Sequence, residues 1–259
     1  MNNFPIGIFD SGLGGIYILK KLVKKLPCEN IIYVADHKHI PYGKRTKKEI
    51  RDRSLAISNW LLKKKCKLII VACNTATTNA IKLLRKKIEI PIIGVEPAIK
   101  PATKKSISKK IGVLATQGTL KSELFNYTKS TYASDIDVIM QIGFGLVNIV
   151  ENGEAQKFST EQILTKNLKI LIDNNVDTIV LGCTHYSFLI PTIKKLVPKK
   201  IKILDSTKAV VKQTKNVLYK ESVLSKNLLK GQVSFYSTGK IKMNIWNKFN
   251  IDDVSKIKI

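Results

Sequence analysis

Four short apolar segments occur twice in this chain, in the same order and at nearly the same spacing. Ile6-Gly7-Ile8-Phe9-Asp10-Ser11 is answered by Ile111-Gly112-Val113-Leu114-Ala115-Thr116, 105 residues further on. Asp137 to Gln141 follows Ile31 to Ala35 at a similar offset. Thr178 to Cys183 follows Leu68 to Cys73 at 110, as Lys202 to Asp205 follows Ile92 to Val95. The runs have strand length, and helical periodicity fills most of the intervals between them. Apolar strands that alternate with helices make a parallel sheet covered on both faces, and a series that restarts halfway calls for two such sheets. The expected fold is α/β, with two similar parallel-sheet domains related by a pseudo-two-fold and the active site in the cleft between them. The first domain is expected over residues 1–98 plus 208–259 and the second over 99–207. The helix after Asp205, through about Tyr219, and a strand at Gln232 to Tyr236 lie outside the repeat and are placed back on the first half.

In α/β folds the chemistry gathers at the carboxyl ends of strands. The first strand, Pro5 to Phe9, runs into the glycine-rich turn Asp10-Ser11-Gly12-Leu13-Gly14-Gly15 and a helix through Leu26. Such a turn points N–H groups at an anion, but it carries neither a Walker lysine nor the full dinucleotide spacing. The strand Asn30 to Ala35 leads into Asp36-His37-Lys38-His39-Ile40-Pro41-Tyr42-Gly43, where Pro41 and Gly43 form a turn that fixes Tyr42. His37 and His39 are read as exposed loop residues rather than metal ligands, because no third ligand lies near them. Thr46 is expected to cap a helix reaching Lys65. A helix from Ala76 to Lys87, a strand from Ile90 to Val95 and a final helix from Ile241 to Phe249 complete the pattern, and the tail Ile251 to Ile259 carries no signal.

With 45 basic against 19 acidic residues the formal net charge is +26, which raises the question of a nucleic-acid or membrane partner. Only four of the basic residues are arginine (Arg45, Arg51, Arg53 and Arg85), the side chain suited to bidentate recognition of phosphate and bases. The lysines are spread over helix ends and turns, which predicts only weak, nonspecific polyanion attraction. At 44% hydrophobic and 25% charged residues the chain is an ordinary globular protein and not a disordered or fibrous one. No run reaches the roughly 18 apolar residues of a membrane span, and Met1-Asn2-Asn3-Phe4-Pro5 has no leader-like pattern. Cys28, Cys66, Cys73 and Cys183 show no disulfide spacing, so a reducing, cytoplasmic setting is expected.

Two of those cysteines stand where strands end. Val71-Ala72-Cys73-Asn74-Thr75 and Leu181-Gly182-Cys183-Thr184-His185-Tyr186 share a pattern: an apolar run, a small residue, cysteine, then amide or hydroxyl side chains. A thiol titrates close enough to neutrality to serve as proton acceptor or donor. Two thiols on opposite sides of one carbon would remove a proton from one face and return one to the other, inverting a stereocentre. Asp10 could lie beside Cys73 and His185 beside Cys183. Ser11, Asn74, Thr75, Thr116, Thr119 and Thr184 supply neutral hydrogen-bonding groups suited to an amino acid's carboxylates. Cys28 and Cys66 are assigned to the core. Structural zinc would need closer-spaced ligands, and a cysteine-phosphatase loop would need an arginine where Asn79 and Leu189 stand. An acyl-transfer nucleophile built from Cys183 and His185 is a further alternative.

The motifs Phe9-Asp10-Ser11-Gly12-Leu13-Gly14-Gly15, Pro41-Tyr42-Gly43, Ala72-Cys73-Asn74-Thr75-Ala76, Gly94-Val95-Glu96-Pro97 and Leu181-Gly182-Cys183-Thr184-His185-Tyr186 occur in this order through most of the chain. Together they resemble the cofactor-independent glutamate racemases of the aspartate/glutamate racemase superfamily. The resemblance implies interconversion of L- and D-glutamate without pyridoxal phosphate, metal or other cofactor, in the supply of D-glutamate for peptidoglycan. It implies Cys73 and Cys183 as the two acid/bases, assisted by Asp10, His185 and Glu151, with Ser11, Tyr42, Gly43, Asn74, Thr75, Thr116, Thr119 and Thr184 holding the substrate. The partner is then glutamate, and a homodimer stays open. The chain departs from the family pattern at Gly143-Phe144-Gly145, ahead of Glu151, and at Thr238-Gly239-Lys240, a region expected to be peripheral to the cleft. Two rival readings remain: a sister racemase acting on aspartate or another amino acid, and a basic nucleic-acid-binding protein.

Overall fold

The computed structural model describes residues 2–259. Its strands are β1 Ile6–Asp10, β2 Ile31–Ala35, β3 Leu68–Val71, β4 Ile92–Gly94, β5 Lys110–Ala115, β6 Asp137–Ile142, β7 Thr178–Gly182, β8 Lys202–Leu204, β9 Val233–Ser237 and β10 Ser255–Lys256. They form two sheets, in the orders β10-β9-β2-β1-β3-β4 and β6-β5-β7-β8. Every pairing is parallel. The run β2-β1-β3-β4 in one sheet matches β6-β5-β7-β8 in the other, position for position, so the sequence repeat is a repeat of topology. In each half the strand that opens the series lies in the middle. β1 pairs Ile6 with both Ile31 and Leu68, and β5 pairs Ile111 with both Val138 and Thr178.

The central strands β1, β3 and β7 are buried along their whole length, which accounts for their continuous apolar composition. The second half leaves β6 as a bare edge, half-exposed, whereas the corresponding β2 is covered by β9 and wholly buried. β9 thus returns to the first half, as expected. The tail adds β10 beside it, which the polar sequence of that segment did not announce. Lys67 helps fix this return: its buried ammonium pairs with Glu29 at 2.6 Å and donates to the carbonyls of Asn2 and Val223, while Glu29 accepts the Ser225 N–H. A buried pair of this kind is costly to break from one side only.

The helices follow their local signals. The helix Lys47–Lys63 opens with a reciprocal capping box, the Glu49 N–H donating to Thr46 Oγ1 and the Thr46 N–H to Glu49 Oε2. The helix expected from Ala76 begins earlier, at Asn74, because Cys73 occupies the cap position and its sulfur accepts the Ala76 N–H. The expected helix Ile241 to Phe249 is shorter: Met243–Trp246 is helical, the next turn tightens, and Asn250 adopts a left-handed conformation.

One hydrophobic core runs continuously across both halves, joining Leu13, Ile16 and Leu22 of the first to Leu146, Val150 and Leu189 of the second. Phe188 sits at this seam, edge-on to Tyr17 at 4.7 Å and to Phe249 at 5.3 Å. Burying such an aromatic side chain is worth about 1.5–3 kcal/mol, so the halves are held in register by packing as well as by the polar contacts described next.

Candidate active site

The carboxyl ends of β1, β3, β5 and β7 meet at the seam, and the sequence candidates meet with them. Asp10 ends β1 fully buried, with its two carboxylate oxygens accepting the N–H groups of Ser11 and Gly15, each at 2.6 Å. From the other half, the Thr184 hydroxyl donates to the same carboxylate at 3.4 Å. Burial raises the pKa of Asp10, while the positive charge of His185 and the two N–H groups pull against it.

The glycine-rich turn does point N–H groups at anions, but the anions are the protein's own carboxylates. Its Leu13 N–H donates to Glu151 Oε1 at 2.7 Å. Gly14 is required by close approach: a Cβ there would meet Thr184 Oγ1 at 2.5 Å and both Asp10 Oδ2 and His185 Nδ1 at 2.6 Å. The two halves come together over a turn whose Gly12 and Gly14 have no room for a Cβ.

Cys73 follows β3, with 5% of its surface exposed. Its thiol faces Ser11 Oγ at 4.0 Å and accepts the Ala76 N–H at 3.5 Å. Burial pushes this thiol well above its usual pKa, and the Asp10 carboxylate pushes it the same way. Asn74 is tied to the Val95 carbonyl. Thr75 Oγ1 lies 2.8 Å from Thr116 Oγ1 and 3.3 Å from Thr119 Oγ1, with 3.1 Å between the latter two. These hydroxyls form a triangle that crosses the seam. Gly43 packs against Thr116 and Gly118 against Thr75, where added Cβ atoms would sit 2.8 and 2.9 Å from their neighbours.

Cys183 follows β7, with 7% exposed. Its sulfur lies 3.8 Å from His185 Nδ1, and His185 Nε2 lies 2.6 Å from Glu151 Oε1. Burial disfavours a charge on His185, yet its bonds to Cys183 and Glu151 and the nearby Asp10 carboxylate raise its pKa well above that of an ordinary histidine. Burial likewise opposes the charge of Glu151. The hydrogen bonds from His185 and His37 outweigh it and hold the carboxyl well below the usual range. The departure at Gly143-Phe144-Gly145 therefore leaves Glu151 within reach of His185, and Gly143 is used to admit Tyr186, whose hydroxyl donates to its carbonyl.

Four expectations change. His37 is not an exposed loop residue: its side chain is 8% exposed, and it joins Glu151 Oε2 at 3.0 Å and Ser237 Oγ at 3.2 Å. Tyr42 is buried and its hydroxyl donates to Asp36 Oδ2 at 2.6 Å, leaving only its main chain for a substrate. The Thr238-Gly239-Lys240 region is not peripheral, since Thr238 Oγ1 donates to Asp36 Oδ1 at 2.6 Å and Ser237 supports His37. Asp36 is thus the hub of a second layer. Burial alone would raise its pKa, but Arg53, Thr238 and Tyr42 together bring it down to about 2. Of the two cysteines assigned to the core, Cys66 is buried and its thiol is pushed up to about 12 by burial, whereas Cys28 is half-exposed at a helix end. Among the described residues, no group of three or more His, Cys, Asp or Glu side chains is arranged to hold a metal ion. No helix among them is long and apolar enough to cross a membrane.

A family profile described as Asp/Glu/Hydantoin racemase matches residues 7–214, a span that includes both cysteines and every helper around them except Ser237 and Thr238. The chain belongs to this family. It is an amino-acid racemase, an isomerase that works, like the family, without pyridoxal phosphate. A glutamate racemase of Ralstonia pickettii (strain 12J) is 42% identical over 208 residues, 80% of this chain and 74% of the relative. The fold agrees over the full length with solved structures. Glutamate racemase isoform RacE1 from Bacillus anthracis superposes with a TM-score of 0.90 at 28% identity, covering 100% of this racemase and 98% of that chain. Glutamate racemase from Francisella tularensis, solved in complex with D-glutamate, superposes with a TM-score of 0.88 at 26% identity, with the same coverage of both chains.

Proposed function

We propose that the racemase interconverts L- and D-glutamate with two thiols, Cys73 and Cys183, one on each face of the substrate's Cα. The observation that carries this reading is the equivalence of the two cysteines. They follow corresponding strands of two like sheets and lie buried at one seam. One sulfur, as thiolate, takes the Cα proton. The electron pair left on Cα is delocalised into the adjacent carboxylate, and the opposite thiol then protonates the other face. The enzyme ends with its two protonation states exchanged and the stereocentre inverted.

Cys73 rests with its proton, since burial and Asp10 both favour the neutral thiol. His185 presents a stabilised positive charge to Cys183, with Glu151 behind it. Ser11, Asn74, Thr75, Thr116, Thr119 and Thr184 would bind the substrate's carboxylates and ammonium, with the main chain of Tyr42 and Gly43. The threonine triangle closes across the seam, so an incoming carboxylate replaces hydroxyl–hydroxyl contacts between the halves. Residues 1–98 with 208–259 and residues 99–207 are the units that would part to admit it, each built on its own sheet. Glutamate racemases among the relatives and the D-glutamate complex of the Francisella enzyme support glutamate as the substrate. Four free thiols fit a reducing cytoplasm, where the D-enantiomer would feed peptidoglycan synthesis.

The test is circular dichroism on a panel of single enantiomers with no added cofactor. Both enantiomers of glutamate are expected to lose optical activity, while aspartate, one methylene shorter, reacts at least about tenfold more slowly. Faster turnover of aspartate than of glutamate would assign the sister specificity.

A further inference from the structure

Of the polar side chains behind the thiols, His37 is the one that bonds directly to Glu151 from the first half. His37 lies outside the two cysteine motifs, on the loop after β2, and it reaches across the seam to the helper of Cys183. We propose that His37 is a positioning residue for the Cys183 side of the reaction: it holds the outer oxygen of Glu151 so that the inner oxygen stays on His185.

The geometry carries this. Glu151 Oε1 is taken from two directions, by the Leu13 N–H at 2.7 Å and by His185 Nε2 at 2.6 Å. Among the described residues Oε2 has a single hydrogen-bond partner, His37 Nε2 at 3.0 Å. A carboxylate only accepts, so His37 bears a proton on Nε2, while Nδ1 lies 3.2 Å from Ser237 Oγ, whose hydroxyl also reaches the Gly239 carbonyl at 3.1 Å. The ring is also fixed edge-on against the buried indole of Trp246, with centroids 5.7 Å apart. Both nitrogens and one face of His37 are therefore committed, as expected of a group that orients another.

The surroundings show what His37 prevents. On the outer side of Glu151 lies a cavity of about 150 Å³, walled by His37, Glu151, Asn152, Lys240, Lys242 and Trp246. Lys242 donates to Asn152 Oδ1 on its rim. Without His37, Oε2 would turn toward water and these two ammonium groups, and the short bond from Oε1 to His185 would be loosened. His185, which faces Cys183, Asp10 and Glu151, would lose the partner that keeps its charge beside the sulfur. Because His37 and Ser237 belong to the first unit and Glu151 and His185 to the second, this array is complete only when the halves are together.

The proposal rests on the two-thiol reading, and its closing experiment has one arm that needs no turnover, so the two can fail separately. The His185 ring is titrated by NMR in the substrate-free protein, beside steady-state kinetics, for the wild type and for His37→Leu, His37→Asn and His37→Gln. Leu removes the donor, Asn is too short to reach Oε2, and Gln can still donate to it. In the Leu and Asn variants the His185 titration is expected to move down toward that of an ordinary histidine, and kcat to fall about tenfold with KM changed by less than about twofold. The Gln variant is expected to restore both. If the Leu variant does not fold, the Asn and Gln pair gives the same comparison. An unshifted His185 titration in folded Leu or Asn protein overturns the proposal, as does a folded Gln variant as impaired as the others.

Discussion

Cys73 and Cys183 stand at matching ends of β3 and β7, yet their surroundings are opposite in charge. Beside Cys73 there is a carboxylate, Asp10, a hydroxyl, Ser11, and the first turn of a helix, and among the described residues no cationic side chain bonds to the sulfur. Beside Cys183 there is an imidazole with a raised pKa, backed by Glu151 and His37. The duplicated backbone supplies two strand ends with equal reach. In the proposed mechanism, the residues just beyond them keep one thiol protonated at rest and give the other a positive neighbour. The proposed racemisation of mirror-image substrates does not require mirror-image sites: the substrates differ in which face carries the proton, and the two free forms of the enzyme would differ in which thiol carries it.

Removing either thiol should have the largest effect. Cys73→Ala and Cys183→Ala are each expected to lower racemisation at least about 10³-fold in both directions while leaving the melting transition near that of the wild type. A single variant that retains normal turnover would dissolve the comparison.

Replacing the carboxylate behind each thiol should have unequal effects. Glu151→Gln takes the anion from His185 and is expected to lower kcat about 10²-fold, with the His185 ring titrating lower. Asp10→Asn is expected to cost less, about tenfold, because the amide can keep one of the two N–H contacts. The sign at Cys73 is fixed: Asp10 raises that thiol, so its removal lets Cys73 titrate lower, and its alkylation at neutral pH should speed up. Since L- and D-glutamate have the same free energy, kcat/KM must fall by the same factor in both directions for any of these variants. The asymmetry is therefore to be sought in separate kcat values, thiol reactivity and ring titration. Equal effects of Glu151→Gln and Asp10→Asn on the His185 ring would mean that the two sides are not electrostatically distinct.

Much of this was legible in the sequence because its signals are local. The apolar runs mark the strands, and their recurrence marks the doubling. The pattern of small residue, cysteine and hydroxyl marks both thiols, and Thr46 with Glu49 marks a helix start. What stayed hidden depends on contacts between distant segments. His37 acquires its role from Glu151 and Ser237, residues 114 and 200 positions away. The Tyr42 hydroxyl was available to the substrate on paper, but Asp36 takes it, because Arg53 and Thr238 keep that buried carboxyl charged and in need of donors. The segment Ser237 to Gly239 reads as a polar turn, and only its place at the end of β9, beside β2, brings it behind the site.

The central claim is that different groups act on the two faces of Cα, and the wild-type enzyme in heavy water tests it most directly. L-glutamate is converted to a small extent, and recovered substrate and product are analysed separately for deuterium at Cα; the experiment is then repeated from D-glutamate. Two thiols predict deuterium in the product and almost none in the recovered substrate, from either starting enantiomer. Deuterium entering recovered substrate as fast as product, or product that keeps the original proton, would contradict it and point to a single group serving both faces.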